Sequence, residues 1–394
     1  MGNENGKTTT REGKRFGTGE TEIQPELPRI IGAGLGGVMR MKPEDFRVEE
    51  IRLPEESPIN GGHLALLLEK REWTTDSLAG WLARHFKTPR RGVGYAGLKD
   101  RHAVTVQEFS VPLPPKGDSD LDQLRQGLEE SLPEGVRLLG MSRRSKKIRI
   151  GQLVGNRFEI RLRNIDGSKR QQAEEAVRVL RKQGVPNWFG PQRFGNRGDN
   201  AIRGMTWLSA EAEKQKGNND VKVRKPKRHE RGFLLSAVRS ELFNRVLTER
   251  IRSGLFDQLL EGDVAQLDGR RASFLVESVE NERPRFTSGA IHPTGPLFGR
   301  KLLMALGHQG ILESAQADQE STVVEGLNAV KVDGARRALR VTPTDLEVTW
   351  EADETALIRF QLPKGSYATS VMREFMMEAG PHPVSDGVHD PHLS

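Results

Sequence analysis

The chain has 394 residues, 35% hydrophobic and 29% charged, with a formal net charge of +7. It is long enough for two domains or one elaborate one. It contains no cysteine, which excludes disulfides, thiolate metal sites and a cysteine nucleophile. No apolar run approaches the ~20 residues that span a bilayer, the first twenty residues lack the apolar core of a signal peptide, and the cytoplasm is the expected location. The histidines are scattered with no His-x-x-x-His spacing, and no G-x-x-x-x-G-K-[ST] loop is present, so neither a metal enzyme nor a P-loop enzyme is indicated. Basic runs at Arg143–Arg149, Lys222–Arg231 and Arg336–Arg340 point to a polyanionic partner, most simply nucleic acid, or to a basic surface that only confers solubility.

Residues 1–28 are polar and aperiodic and read as a disordered tail. In Lys42–Glu50, Phe46 and Val48 alternate with Arg47 and Glu49, which is a strand; Lys42 stands just before it. Leu64–Glu69 reads as a buried strand. Thr74-Thr75-Asp76 starts a helix with Leu78, Trp81, Leu82 and Phe86 on its apolar face.

The stretch Gly94–Gln107 follows. It begins as a strand, breaks at Gly97, presents Lys99, Asp100 and Arg101, and resumes alternation at Ala103, Thr105 and Gln107. A carboxylate between two cations is held ionised and is a candidate nucleophile or base. A charged β-turn is the plainer alternative.

Leu121–Leu132 has helical periodicity, and Gly135–Met141 reads as a strand. In Gly155–Arg163 the alternation is clean: Asn156, Phe158, Ile160 and Leu162 share one face. Aromatics so placed are usually core, but an amide on that face needs partners and suits a cleft. Lys169–Gln183 is a helix with Ala173, Ala176, Val177 and Leu180 inward. The loop Gly184–Gly195 mixes Trp188, Phe189 and Phe194 with Gln192 and Arg193, which suits base stacking or a packed turn. Asn218–Arg231 reads as a flexible loop, and Phe233–Ile251 as the longest amphipathic helix. Leu346–Trp350 and Leu357–Leu362 alternate as strands, and Tyr367–Met377 forms a last helix before a polar tail.

Five separated blocks carry a resemblance. They are Lys42-Pro-Glu-Asp-Phe-Arg-Val-Glu-Glu50, Gly97-Leu-Lys-Asp-Arg-His-Ala-Val-Thr-Val-Gln107, Gly155-Asn-Arg-Phe158, Pro186-Asn-Trp-Phe-Gly-Pro-Gln-Arg-Phe-Gly195 and Leu362-Pro-Lys-Gly-Ser-Tyr-Ala-Thr369. In this order they resemble the TruD family of tRNA pseudouridine synthases, from about residue 40 to 378. The resemblance implies an α+β fold: a mostly antiparallel catalytic sheet with flanking helices, residues 29–185 and 342–378, and an inserted second α/β domain, residues 186–341. Residues 379–394 remain a polar tail. It implies isomerisation of uridine, at position 13 of tRNA, to pseudouridine, with tRNA as partner, no cofactor and no obligatory protein partner. By resemblance Asp100 is the catalytic carboxylate, acting on C1′ or on a ribose proton. Phe158 stacks on the uracil, Asn156 orients the carboxylate or a base edge, and Lys42 makes a close contact that keeps Asp100 anionic. A non-enzymatic RNA-binding protein would use the same basic and aromatic residues with Asp100 in a mere turn. An RNA methyltransferase would need a Gly-rich strand-to-helix turn, which is not found.

Overall fold

The strand with the cleanest alternation in sequence stands inside the larger sheet. In the computed structural model, which describes residues 27–376 apart from 33, 55–60, 114–120, 196, 219–222 and 271, Leu153–Arg163 pairs with one strand on each side. Phe158, Ile160 and Leu162 are buried with the expected period of two, while towards the start of the strand burial passes to Leu153 and Gly155 and leaves Asn156 half-buried.

The elements run in this order. The first part comprises β1 (Val38–Met39), β2 (Phe46–Arg52), β3 (His63–Arg71), α1 (Thr75–His85), β4 (Gly94–Tyr95), β5 (Val104–Pro112), α2 (Leu121–Ser131), β6 (Val136–Arg144), β7 (Leu153–Arg163), α3 (Arg170–Gln183) and β8 (Val185–Pro186). The second comprises α4 (Asn200–Gln215), α5 (Arg228–Arg252), β9 (Val264–Leu267), β10 (Ser273–Leu275), α6 (Val279–Thr287), β11 (Ile291–Leu297), α7 (Gly307–Gln319), α8 (Ser321–Ala329) and β12 (Ala335–Ala338). The chain then returns through β13 (Arg340–Val341), β14 (Thr344–Ala352), β15 (Thr355–Pro363) and α9 (Ala368–Met376).

The larger sheet has the order β14-β15-β7-β2-β5-β3-β6, with β1 on β7 and β4 on β5. Its pairings are antiparallel except β2 with β5, which is parallel. The fold is therefore α+β with a mostly antiparallel sheet, as the resemblance implied. Ala173, Ala176 and Leu180 of α3 and Val371, Met372 and Phe375 of α9 pack with β7 and β15 residues in one core. Leu78 and Leu82 of α1 and Leu128 of α2 pack with Leu64, Leu66 and Leu68 of β3 in another. Gly155 sits where β7 passes the Leu362 carbonyl so closely that a Cβ would collide with it. The Gly-Asn-Arg-Phe block thus has a backbone reason for its first residue.

After α3 the chain leaves this sheet. The outgoing β8 pairs with the returning β13, Pro186 opposite Arg340 and Val185 opposite Val341. Between them lie a second sheet, β10-β9-β11-β12, and α4 to α8. Trp188, Phe189 and Phe194 are buried with Phe243 and Leu247 of α5, so these aromatics are a packed turn and no stacking surface for bases. Helix α5 begins at Arg228, inside the expected flexible loop; residues 219–222 of that loop lie outside the described residues. Arg250, in the last turn of α5, is buried. It pairs with Asp263 at 2.6 Å and donates to the carbonyls of Leu255 and Gln258. Helices α4, α6, α7 and α8 had no counterpart in the sequence reading.

Residues 1–26 and 377–394 lie outside the described residues, and with them most of the two expected tails. Leu27 and Pro28, assigned to the first tail, are tied down: Arg373 of α9 donates to both carbonyls. Among the described residues no helix is long and apolar enough to cross a membrane.

Candidate active site

The loop between β4 and β5 is held from beneath by three buried polar side chains. The Lys99 amide donates to Thr75 Oγ1 (2.8 Å), and Thr75 donates to Gln107 Oε1 (2.8 Å). Gln107 Nε2 closes the relay on the Gly97 carbonyl (3.2 Å). Lys70 Nζ donates to the carbonyls of Asp100 (3.0 Å) and Trp73 (2.5 Å). Thr75, Gln107 and Lys70 are all buried, so each needs these partners to offset its lost hydration. Burial pushes the Lys70 ammonium down to about 8, against the opposing pull of Asp100. The alternation at Gln107 therefore does more than fill a sheet: it fixes the loop backbone on both sides of Leu98.

Asp100 emerges from this loop with its side chain 42% exposed. Arg40 Nη2 donates to its Oδ2 at 3.0 Å. The Arg40 guanidinium also lies over the Phe46 ring, 3.9 Å from its centroid, a cation–π placement that fixes the donor plane. Arg40 has φ of 63°, left-handed backbone that is uncommon for a residue with a Cβ.

The two cations that flank Asp100 in sequence turn elsewhere. Lys99 Nζ pairs with Glu50 Oε1 at 3.1 Å and donates to Asn156 Oδ1 at 2.5 Å. Arg101 donates to the Glu72 carbonyl. Burial raises the Glu50 carboxyl and lowers the Lys99 ammonium, and each charge opposes the shift of the other. The short contact and the added amide acceptor favour the charged pair.

Asp100 faces a cleft of about 220 Å³ lined by Arg40, Phe46, Val48, Lys99, Asn156 and Phe158, and closed by the Gly190–Gln192 and Ser366–Thr369 segments. Asp100 is the only carboxylate among these lining residues. Phe158 is only 6% exposed; its ring stacks on Phe360 and meets Phe46 edge-on. Tyr367 holds its place through a hydrogen bond from Arg193 to its hydroxyl (3.0 Å). A larger cavity of about 400 Å³ lies by Arg52, Arg144 and Arg157. Those arginines are already paired with Glu108 and Glu49, so the smaller cleft is the better site.

Of the residues singled out in sequence, Asp100, Asn156 and Phe158 converge on this cleft. Lys42 does not. It is exposed, its backbone amide donates to Asp45 Oδ2 (3.0 Å), and the contact expected of it is made by Arg40. Residues 40 and 42 precede the same strand, and the left-handed turn at Arg40 decides which one reaches the loop. Sequence reasoning missed Arg40, Glu50, Lys70, Gln192 and Tyr367 as site residues. Glu50, Gln192 and Tyr367 lay inside the quoted blocks; nothing local marked Lys70.

Fold and cleft together define an α+β protein built around one exposed aspartate beside an arginine, an amide and aromatic rings. A family model described as tRNA pseudouridine synthase D (TruD) matches residues 30–216 and 216–375, and the chain belongs to that family. A tRNA pseudouridine synthase D of Xanthomonas oryzae pv. oryzae is 37% identical over 354 residues, covering 88% of this chain and 94% of the relative. One of Xanthomonas axonopodis pv. citri is 39% identical over 357 residues with the same coverage. A solved structure from Methanosarcina mazei, titled for the same family, superposes with a TM-score of 0.69 at 25% identity over 89% of this chain and 95% of that one.

Proposed function

We infer that the chain is a tRNA pseudouridine synthase in which Asp100 is the catalytic carboxylate and the uridine at position 13 is the target. The reaction class comes with the family: an isomerase that converts uridine in tRNA to pseudouridine. The position and the residue roles are proposals. The observation that supports Asp100 is its setting. Among the described residues that line the cleft it is the only carboxylate, half open to it and held by Arg40. A charged turn would not require three buried polar side chains to pin its backbone.

In the isomerisation the N1–C1′ bond breaks, the uracil turns, and C5 bonds to C1′; C5 then loses its proton and N1 gains one. Atoms balance without an external reactant. A carboxylate beside the ribose serves either by attack on C1′ or by taking a ribose proton, and Arg40 orients it for both. Asn156, already accepting from Lys99, presents its amide N–H groups to the cleft for a base edge or the carboxylate. Phe158 has one ring face committed to Phe360, so its share in holding the uracil falls to the side lining the cleft. Tyr367 supplies a second aromatic wall. Lys42, being exposed, is assigned at most a phosphate contact.

We place the inserted domain at residues 186–341. Support comes from the β8–β13 pairing at both of those ends and from the second sheet lying wholly between them. The cleft is lined from both parts, since Gly190–Gln192 belong to the insertion. Phosphate contacts by the basic chain give binding that falls steeply with salt. Incubation of the protein with unmodified tRNA, followed by chemical mapping of pseudouridine, tests the reading. Product at position 13 that disappears with Asp100→Asn is the expected result. Product at another uridine would overturn the position alone, and full activity of the variant would overturn the catalytic assignment.

A further inference from the structure

The apolar side chain beside Asp100 points out of the protein. Leu98 is 73% exposed, the largest value among the exposed large hydrophobic residues, and it lines the catalytic cleft. A lone leucine on a surface needs no explanation. Leu98 differs in two respects. The backbone on either side of it is immobilised, Gly97 through its carbonyl to Gln107 and Lys99 through its amide to Thr75. And exposed apolar side chains stand on segments joined to the site: Met41, next in sequence to the cleft residue Arg40, is 56% exposed. Ile150, also exposed, belongs to a turn whose Gly151 amide donates to the Ala96 carbonyl.

Chemistry on a base inside a helical stem requires that base to leave the stack. Proteins that open base steps insert apolar side chains such as Leu, Ile or Met between them. A wedge must be apolar, protruding and rigidly based, since a mobile side chain would yield before the stack did. Leu98 meets these conditions two residues from the carboxylate.

We propose that Leu98 is the wedge that enters the RNA stack and occupies the space the target uridine leaves when it turns toward Asp100. The proposal rests on the reading that the chain isomerises uridine in RNA, and it names a task separate from bond making. Its partner is a stacked, base-paired stretch of the substrate RNA. The loop is fixed to the sheet by Gln107 and Lys70, so docking of the phosphate backbone drives the leucine inward while the uridine moves out.

The test compares two RNAs with one uridine each in the same flanking sequence, paired in a stem in one and unpaired in a large loop in the other. Single-turnover rates at saturating enzyme are measured for wild type and Leu98→Ala. The quantity read is the paired-to-unpaired rate ratio. It should fall at least about 10-fold in the variant, because unstacking is part of the barrier only for the paired target. An unchanged ratio, with both rates falling together or neither falling, would overturn the wedge. A companion measurement needs no turnover. With 2-aminopurine next to the paired uridine, binding of wild-type protein should raise fluorescence, and saturating Leu98→Ala should raise it much less. Equal rises would also reject the proposal. If wild type converts neither these RNAs nor tRNA, while fluorescence still depends on Leu98, the catalytic reading fails and the wedge survives.

Discussion

Two Asp–Arg pairs in this molecule have opposite characters. Asp263 and Arg250 are both buried, at 0% and 1% side-chain exposure. Arg250 grips both carboxylate oxygens, the Leu260 amide adds a third donor, and Gln309 and two carbonyls take the remaining guanidinium N–H groups. Asp100 receives one hydrogen bond from Arg40 and is otherwise open to the cleft. The first pair is saturated, and a saturated buried pair holds elements together. The second leaves acceptor capacity unspent, and an under-satisfied carboxylate in a cleft is available to react. Residue type is the same; the count of partners separates structure from chemistry.

The sharpest way to break this contrast is to remove the charge from each aspartate in turn. Asp100→Asn should cut turnover by at least about 10²–10⁴-fold, the contribution of a positioned acid–base group, with the melting temperature nearly unchanged. Asp263→Asn should do the reverse. Leaving Arg250 buried without its partner costs roughly 3–5 kcal/mol of stability, measured by denaturant unfolding, while the rate per folded molecule is kept. If Asp263→Asn lost activity without losing stability, the division drawn here would be wrong.

Phe158→Ala sits between the two kinds of residue. Its packing on Phe360 predicts a loss of about 3–5 kcal/mol, and its place on the cleft wall predicts a rate loss of up to ~100-fold from a misplaced base. Single-turnover kinetics at a temperature where the variant is fully folded separates them. A normal rate there would leave Phe158 a packing residue.

Arg40→Met should slow the reaction by about 10- to 100-fold, the worth of one hydrogen bond to a charged group. Arg40→Lys should recover only part, since it keeps the charge and loses the guanidinium plane over Phe46. Lys42→Ala should stay within about 2-fold, as expected of an exposed side chain. A larger effect of Lys42 than of Arg40 would contradict the geometry.

The last prediction concerns another buried acid and the pH dependence of stability. Glu374 lies on α9 and accepts from the amides of Ile30 and Ile31, but the nearest Arg373 nitrogen is 3.8 Å away. Burial pushes its carboxyl up from 4.5 to about 7, with Arg373 and the two amides opposing. The folded state therefore holds this proton more tightly than the unfolded one. The stability it contributes is complete below pH 4.5, falls as pH rises to about 7, and is flat above. Glu374→Gln should remove that fall, read as a flatter melting temperature between pH 5 and 8. A slope identical to wild type would mean that Glu374 is charged throughout that range.

Much of the fold was legible because strand alternation is local. The Phe46–Val48, Phe158–Leu162 and Leu357–Leu362 patterns each report a buried face without reference to any other strand, and the apolar run Leu64–Leu68 reports a buried strand. Of the helices that escaped, α4 buries Ala201, Gly204, Leu208 and Ala212 along one face, a local signal that went unread, whereas α6 buries no residue and α7 buries only polar side chains and a glycine.

The amino-acid sequence by itself determined the family and the block that presents Asp100, since these depend on residue types in order, and the α+β class followed only through the resemblance. It also placed Asn156 and Phe158 on one face, since parity along a strand is a local property. Tertiary structure alone decided who meets whom. It gave Asp100 to Arg40 rather than to Lys42, through one left-handed residue. It drew the flanking Lys99 away to Glu50, a strand apart, and brought Gln192, which follows β8, and Tyr367, which follows β15, to the same cleft. Partners at such separations are set by strand order and by the β8–β13 crossing, and no local pattern of side chains encodes either.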